Sequence, residues 1–140
     1  MPVELGRDAL VQLQTARRAA FETEVFAFGR LPLAFAARCF TARAHNQAKD
    51  DCGYRCLEDA DGILIETQEH KPFLVLNGIQ TQSAETCNLV AALPEMRHLG
   101  VDIVRLSPQS QGTFEIIDVF RGAVDGTIDS AQAQARLAPH

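Results

Sequence analysis

The sequence has 140 residues, 46% of them hydrophobic and 22% charged, with a formal net charge of -5. That composition excludes a disordered or collagen-like chain and suits one compact domain with its own core. The 18 acidic against 13 basic residues argue against nucleic acid or an anionic membrane surface as the main partner.

In chain order, Val3, Glu4 and Leu5 offer the end of a strand. Residues 7–20 read as a helix. Ala9, Leu13, Ala16 and Ala20 recur on one face, Asp8 suits the first turn, and Arg17 and Arg18 suit the last. Residues 23–28 read as a strand closed by Gly29. Residues 30–62 are rich in charge and poor in periodicity, and they carry three cysteines. The apolar runs 63–66 and 73–76, joined by the polar stretch 67–71, predict a β-hairpin. Ser83 is a natural N-cap, with Glu85 in the first turn and Leu89, Leu93 and Met96 on one helical face. Pro94 predicts a restart of that helix near Leu93, and Gly100 its stop. Residues 101–106 read as a strand ended by Ser107 and Pro108. Residues 112–122 read as a helix with Ile117, Phe120 and Val124 on one side. The polar tail 126–140 is expected to fray around a short helix at 131–137. Strands alternating with helices predict an α/β fold with a parallel sheet.

The cysteines are the unusual feature. Cys39, Cys52 and Cys56 have the spacing C-x12-C-x3-C, and Cys87 stands apart. No basic stretch followed by an apolar one opens the chain, and no apolar run nears the roughly 18 residues of a membrane span. The sequence therefore predicts a cytoplasmic protein without a transmembrane segment, where clustered cysteines point to metal or catalysis rather than disulfides. Thiolates are soft ligands for zinc, copper(I) or iron–sulfur clusters. Structural zinc favours C-x2-C pairs, which are missing here. Three cysteines plus a fourth ligand would suit a 4Fe–4S cluster, whose negative charge Arg38, Arg43, Lys49 and Arg55 could offset. Buried core thiols and redox chemistry are the alternatives. Cys87 reads as core packing, and His45 as a loop histidine that could complete the site. No nucleophile elbow, P-loop or dinucleotide fingerprint is present.

In parallel α/β folds ligands bind beyond the carboxyl ends of strands. The stretch from Asn77 through Gln80 to Ser83 then reads either as a binding loop or as a helix cap. Arg105, inside a strand, could hold a carboxylate or pair with Asp102 or Glu115.

Residues 26–43, from Phe26-Ala27-Phe28-Gly29-Arg30 to Arg38-Cys39-Phe40-Thr41-Ala42-Arg43, resemble the collagenase-like peptidase family. Within it they are nearest the ubiquinone-biosynthesis branch and its UbiV-like subfamily. Lys49-Asp50-Asp51-Cys52 with Cys56, then Leu76-Asn77-Gly78-Ile79-Gln80-Thr81, then Val104-Arg105-Leu106-Ser107-Pro108-Gln109 continue the pattern in order, over about residues 2–125. The resemblance implies a TIM-like barrel, a heterodimer with a UbiU-like partner, and a 4Fe–4S cluster. It also implies oxygen-independent hydroxylation of a ubiquinone precursor, with prephenate as the oxygen source. Cys39, Cys52 and Cys56 match three of its four cluster cysteines, and the fourth lies far upstream in family members. A closed barrel takes roughly 250 residues. Residues 1–125 are therefore expected to be the C-terminal half of such a barrel, a partial barrel with a cysteine-bearing segment at 30–62 and a β-hairpin. Cys87, His45, solvent or another chain would supply the fourth ligand. Arg38, Arg43, Asn77, Gln80 and Arg105 are the candidate substrate-binding residues. A collagenase-like peptidase and a zinc-binding or interaction module are the alternatives.

Overall fold

A computed structural model describes residues 1–140. Its helices are α1 (Arg7–Ala16), α2 (Phe40–Ala44), α3 (Leu93–His98), α4 (Thr113–Asp125) and α5 (Ser130–Leu137). Its strands are β1 (Glu24–Phe35), β2 (Ile63–Glu66), β3 (Pro72–Asn77), β4 (Gln80–Asn88) and β5 (Ile103–Leu106). The strands form one open sheet in the order β2-β3-β4-β1-β5, not closed into a barrel. The chain divides into two compact units, Met1–Gly29 with Cys87–His140, and Arg30–Thr86. No helix is long and apolar enough to cross a membrane.

The first unit holds the main core. Leu10 of α1, Val25, Ala27 and Phe28 of β1, Val90, Leu93 and Met96 around α3, Ile116, Val119 and Phe120 of α4, and Ala133 and Leu137 of α5 form one cluster. Residues 25–29 of β1 are buried on both faces, as a central strand covered on two sides requires. Phe28 meets Phe120 edge-on at 5.8 Å and 74°. Burying such a ring contributes about 1.5–3 kcal/mol.

β1 and β5 run parallel, Glu24 opposite Ile103 and Val25 opposite Val104, with a register shift between Phe26 and Phe28. Gly29 sits just past the shift at φ +118, where an added Cβ would stand 2.5 Å from Ser107 Cβ. Gly29 thus carries the strand onward rather than closing it. The start of the β1–β5 pair is pinned by Asp102. Its Oδ2 accepts from Thr23 N–H at 2.7 Å, Thr23 Oγ1–H at 3.1 Å and Arg17 Nη1–H at 2.9 Å. Those bonds hold the Asp102 carboxyl below the usual carboxylate range, the Thr23 N–H contributing most. They also explain why α1 stops at Ala16 rather than at residue 20. Arg17 turns extended (φ -61, ψ 112), and its guanidinium lies over Phe21 and against Asp102. Leu10 is the buried residue of α1, and Leu13, expected on its apolar face, is 39% exposed.

Val3, Glu4 and Leu5 form a turn, not a strand end, with Leu5 N–H donating to Pro2 C=O at 3.2 Å. α3 begins at Leu93 with Pro94 in its first turn, where a missing N–H costs nothing, and Gly100 follows at φ +79. On α4 the buried residues are Ile116, Val119 and Phe120, so of the expected stripe Phe120 is buried, Ile117 half-buried and Val124 exposed. The tail holds the expected short helix as α5. Asp129 and Gln132 form a reciprocal capping box, and Ala133 and Leu137 are buried.

In the second unit β2 and β3 form the expected antiparallel hairpin, Ile63 opposite Leu76 and Leu64 opposite Val75. The expected helix after Ser83 is instead β4, antiparallel to β3, with Leu74 opposite Ser83 and Asn77 opposite Gln80. The Ser83 hydroxyl serves the sheet rather than a helix N-terminus. It accepts from Leu31 N–H at 2.9 Å and donates to Glu85 C=O at 2.6 Å. The sheet is therefore mixed, with β1–β5 parallel and β2–β3 and β3–β4 antiparallel, where a parallel one was expected.

Candidate functional site

The segment after β1 is built around a short helix, α2, fixed at its N-terminal end. Ala36 N–H donates to Ile79 C=O at 2.8 Å and Phe40 N–H to Gly78 C=O at 2.7 Å. Gly78 N–H returns a bond to Thr41 Oγ1 at 3.1 Å. Gly78 takes φ +61, a conformation glycine adopts without strain, so the two-residue turn between β3 and β4 can meet α2. Thr41 and Ala42 are each 2% exposed. Cys39 caps this helix, its Sγ accepting from Ala42 N–H at 3.5 Å. Past α2, Asn46 turns the chain back at φ +53, and Gln47 N–H bonds Ala42 C=O at 2.8 Å.

This fold-back makes an open cleft of about 450 Å³, lined by Ala37, Arg38, Cys39, Ala42, Arg43, Asn46, Gln47, Ala48 and Lys49. Lys49 Nζ donates to Ala37 C=O at 3.3 Å. Arg38, Arg43 and Lys49 make no ion pair, as Arg18, Arg30, Arg97, Arg121 and Lys71 elsewhere make none, whereas Arg7, Arg17, Arg55, Arg105 and Arg136 each face a carboxylate. No acidic side chain lines the cleft. Gln47 Oε1 is buried and accepts no hydrogen bond.

Of the expected metal ligands, only Cys39 lines this cleft. Cys52 ends the 3₁₀ turn Lys49–Asp51, its carbonyl accepting from Arg55 N–H at 3.3 Å. Gly53 and Tyr54 take φ +57 and +54 and turn the chain into a second 3₁₀ turn, Arg55–Leu57, which carries Cys56. All three thiols are free, half-buried and within Arg30–Thr86. No three His, Cys, Asp or Glu side chains converge in an arrangement that could hold a metal. His45 stands 3.8 Å from Asp59. Cys87 lies in β4 rather than on a helix and belongs to the other unit, and burial pushes its thiol pKa up.

The expected substrate-binding residues separate into groups. Arg38 and Arg43 share the cleft. Asn77 and Gln80 face each other across the hairpin turn, and Gln80 Oε1 accepts from Gln82 Nε2–H at 2.7 Å. They flank a tight turn, not the loop beyond a parallel strand. Arg105 is occupied, 3.4 Å from Glu24 and 5.4 Å over the Phe26 ring. Its other expected partners are taken, Asp102 by Arg17 and Thr23, and Glu115 by Arg136 and His140. In the sequence Lys49 stands out as one of four cations near the cysteines and in the Lys49-Asp50-Asp51-Cys52 run, and Gln47 carries no signal of its own. A run of cations at 38, 43 and 49 without an acid until Asp50 was the available signal.

Fold and site together define a mixed α/β protein with a thiol and unpaired cations in one open cleft. Across residues 1–139 the chain matches Peptidase family U32, and it belongs to that family. No solved structure matches it.

Proposed function

We propose that this member of family U32 is an iron–sulfur protein of oxygen-independent ubiquinone biosynthesis. In this reading its open sheet is part of a TIM-like barrel, and it supports hydroxylation of a quinone precursor beside a UbiU-like partner in the cytoplasm. The observation that carries the reading is the placement of Cys39, Cys52 and Cys56 in one small unit, interleaved with Arg38, Arg43, Lys49 and Arg55. Soft thiolate donors suit iron and sulfide, and nearby cations offset the negative charge of a thiolate-bound cluster.

The donor type fits the cluster, but the arrangement does not, since no three donors converge. Closing a cluster requires the two 3₁₀ turns to move toward Cys39, or donors from another chain. No reaction step is therefore assigned to it. The peptidase alternative is the weaker one, because the sequence carries no recognisable nucleophile–base set and no nucleophile elbow.

The test is to purify the chain without oxygen, reconstitute it with iron and sulfide, and measure bound iron, sulfide, zinc and visible absorption. The reading predicts a brown protein with about four irons and matching sulfide per chain. Colourless protein with stoichiometric zinc contradicts it and supports a zinc module. Gelatin cleavage by protein free of contaminating protease would favour the peptidase.

A further inference from the structure

We infer that Asn77 is a site of spontaneous deamidation guarded by α2, so that release of α2 from the β3–β4 turn opens the way to an isoaspartate product that keeps it released. The inference is independent of iron binding. Asparagine before glycine is the pair most open to this reaction, because glycine has no side chain to hinder attack by its own amide nitrogen. The chain has three asparagines, and of these Asn77 alone precedes glycine, while Asn46 precedes Gln47 and Asn88 precedes Leu89. In the reaction the Gly78 amide loses its proton and its nitrogen attacks Asn77 Cγ. The new C–N bond closes a succinimide as the Cγ–Nδ2 bond breaks, and ammonia leaves with the proton. Water then opens the ring at either carbonyl, giving aspartate or isoaspartate. One water is consumed, one ammonia is released and nothing is oxidised.

Two features of the fold oppose the attack. Asn77 ends β3 opposite Gln80, and its extended backbone lies outside the ψ range that ring closure needs. The Gly78 N–H is also engaged, donating to Thr41 Oγ1 at 3.1 Å. Asp61–Gly62 and Asp125–Gly126 are the other pairs of this kind in the chain, with a carboxyl in place of the amide. Their glycine N–H groups are held by backbone carbonyls of their own turns, Asp59 C=O at 2.8 Å and Gly122 C=O. Gly78 differs, because a side chain from another element, Thr41 of α2, holds its nitrogen. Isoaspartate cannot restore this latch. It routes the main chain through the former side chain and lengthens it by one methylene. That extra length falls directly before the glycine whose C=O accepts from Phe40 N–H at 2.7 Å.

The test follows deamidation of the full chain in mildly alkaline buffer by peptide mapping and mass spectrometry, with Asp-N cleavage separating aspartate from isoaspartate. In urea, Asn77 should be modified ahead of Asn46 and Asn88. In the folded protein its rate should fall. Thr41→Val should raise the folded rate about 5- to 30-fold, the gain in open population expected from losing this bond. Thr41→Ser, which keeps the hydroxyl, should return the rate toward that of wild type, and in urea all three proteins should react alike. The isoaspartate form should exchange its Phe40 amide faster than the unmodified form. Equal folded rates in wild type and Thr41→Val, or no modification of Asn77 in urea, overturn the inference. So does unchanged Phe40 exchange in the isoaspartate form. An equal acceleration at Asn46 and Asn88 in Thr41→Val also overturns it, because the reaction would then run through global unfolding rather than release of α2.

Discussion

Of the buried hydrophobic side chains, only Ala42 and Val75 lie in Arg30–Thr86, and all the others lie in Met1–Gly29 and Cys87–His140. Both units leave apolar groups in solvent, Phe35 at 72%, Tyr54 at 74% and Leu57 at 80% in the smaller one and Phe114 at 86% in the larger, so the contrast lies in the buried side chains alone. The smaller unit holds the cation-lined cleft and three of the four thiols. Packing is thus concentrated in one region and reactive side chains in the other. A segment with few packed contacts opens at low free energy, and the proposed cluster would need that freedom to gather its thiols.

The largest expected effect tests the packed region. Phe28→Ala removes a fully buried ring against Phe120 and should cost about 3–5 kcal/mol in denaturant unfolding. Val75→Ala, the corresponding change in the other unit, should cost about 2 kcal/mol and raise hydrogen exchange chiefly within Arg30–Thr86. Equal costs with equal spread would break the contrast.

A smaller loss is expected at Asp102. Its folded carboxyl titrates below the unfolded value of about 3.9, so its stabilisation is full above that value and fades as pH falls through it toward the folded one. The gap in melting temperature between wild type and Asp102→Asn should be wide at neutral pH and close in strong acid. A gap independent of pH would contradict this. Smallest is Thr41→Val, which strips the acceptor from Gly78 N–H. It should cost about 1–2 kcal/mol and speed exchange of that amide first. Unchanged exchange there would mean that α2 is held by other means.

Parts of this architecture were legible from local chemistry. The 63–76 hairpin, the restart at Leu93 before Pro94, and the stop at Gly100 each follow from short-range rules, and each is observed. β4 was not, because Gln80-Thr81-Gln82-Ser83 lacks an apolar alternation and its hydrogen bonds come from sheet neighbours distant in sequence. β1 ran past Gly29 because a glycine in a strand can mark a bulge as well as an end. At the site, the composition of residues 38–56 announced thiols and cations. It did not announce that Cys39 joins the cations in one cleft while Cys52 and Cys56 sit on separate turns, because that partition depends on α2 docking against the Gly78 turn.

The most direct test of the functional account is the iron content of anaerobically reconstituted serine variants. Cys39→Ser, Cys52→Ser and Cys56→Ser should each lose most bound iron, while Cys87→Ser, in the other unit, should keep it. Retention of iron by the first three variants, or its loss in Cys87→Ser alone, would contradict the assignment.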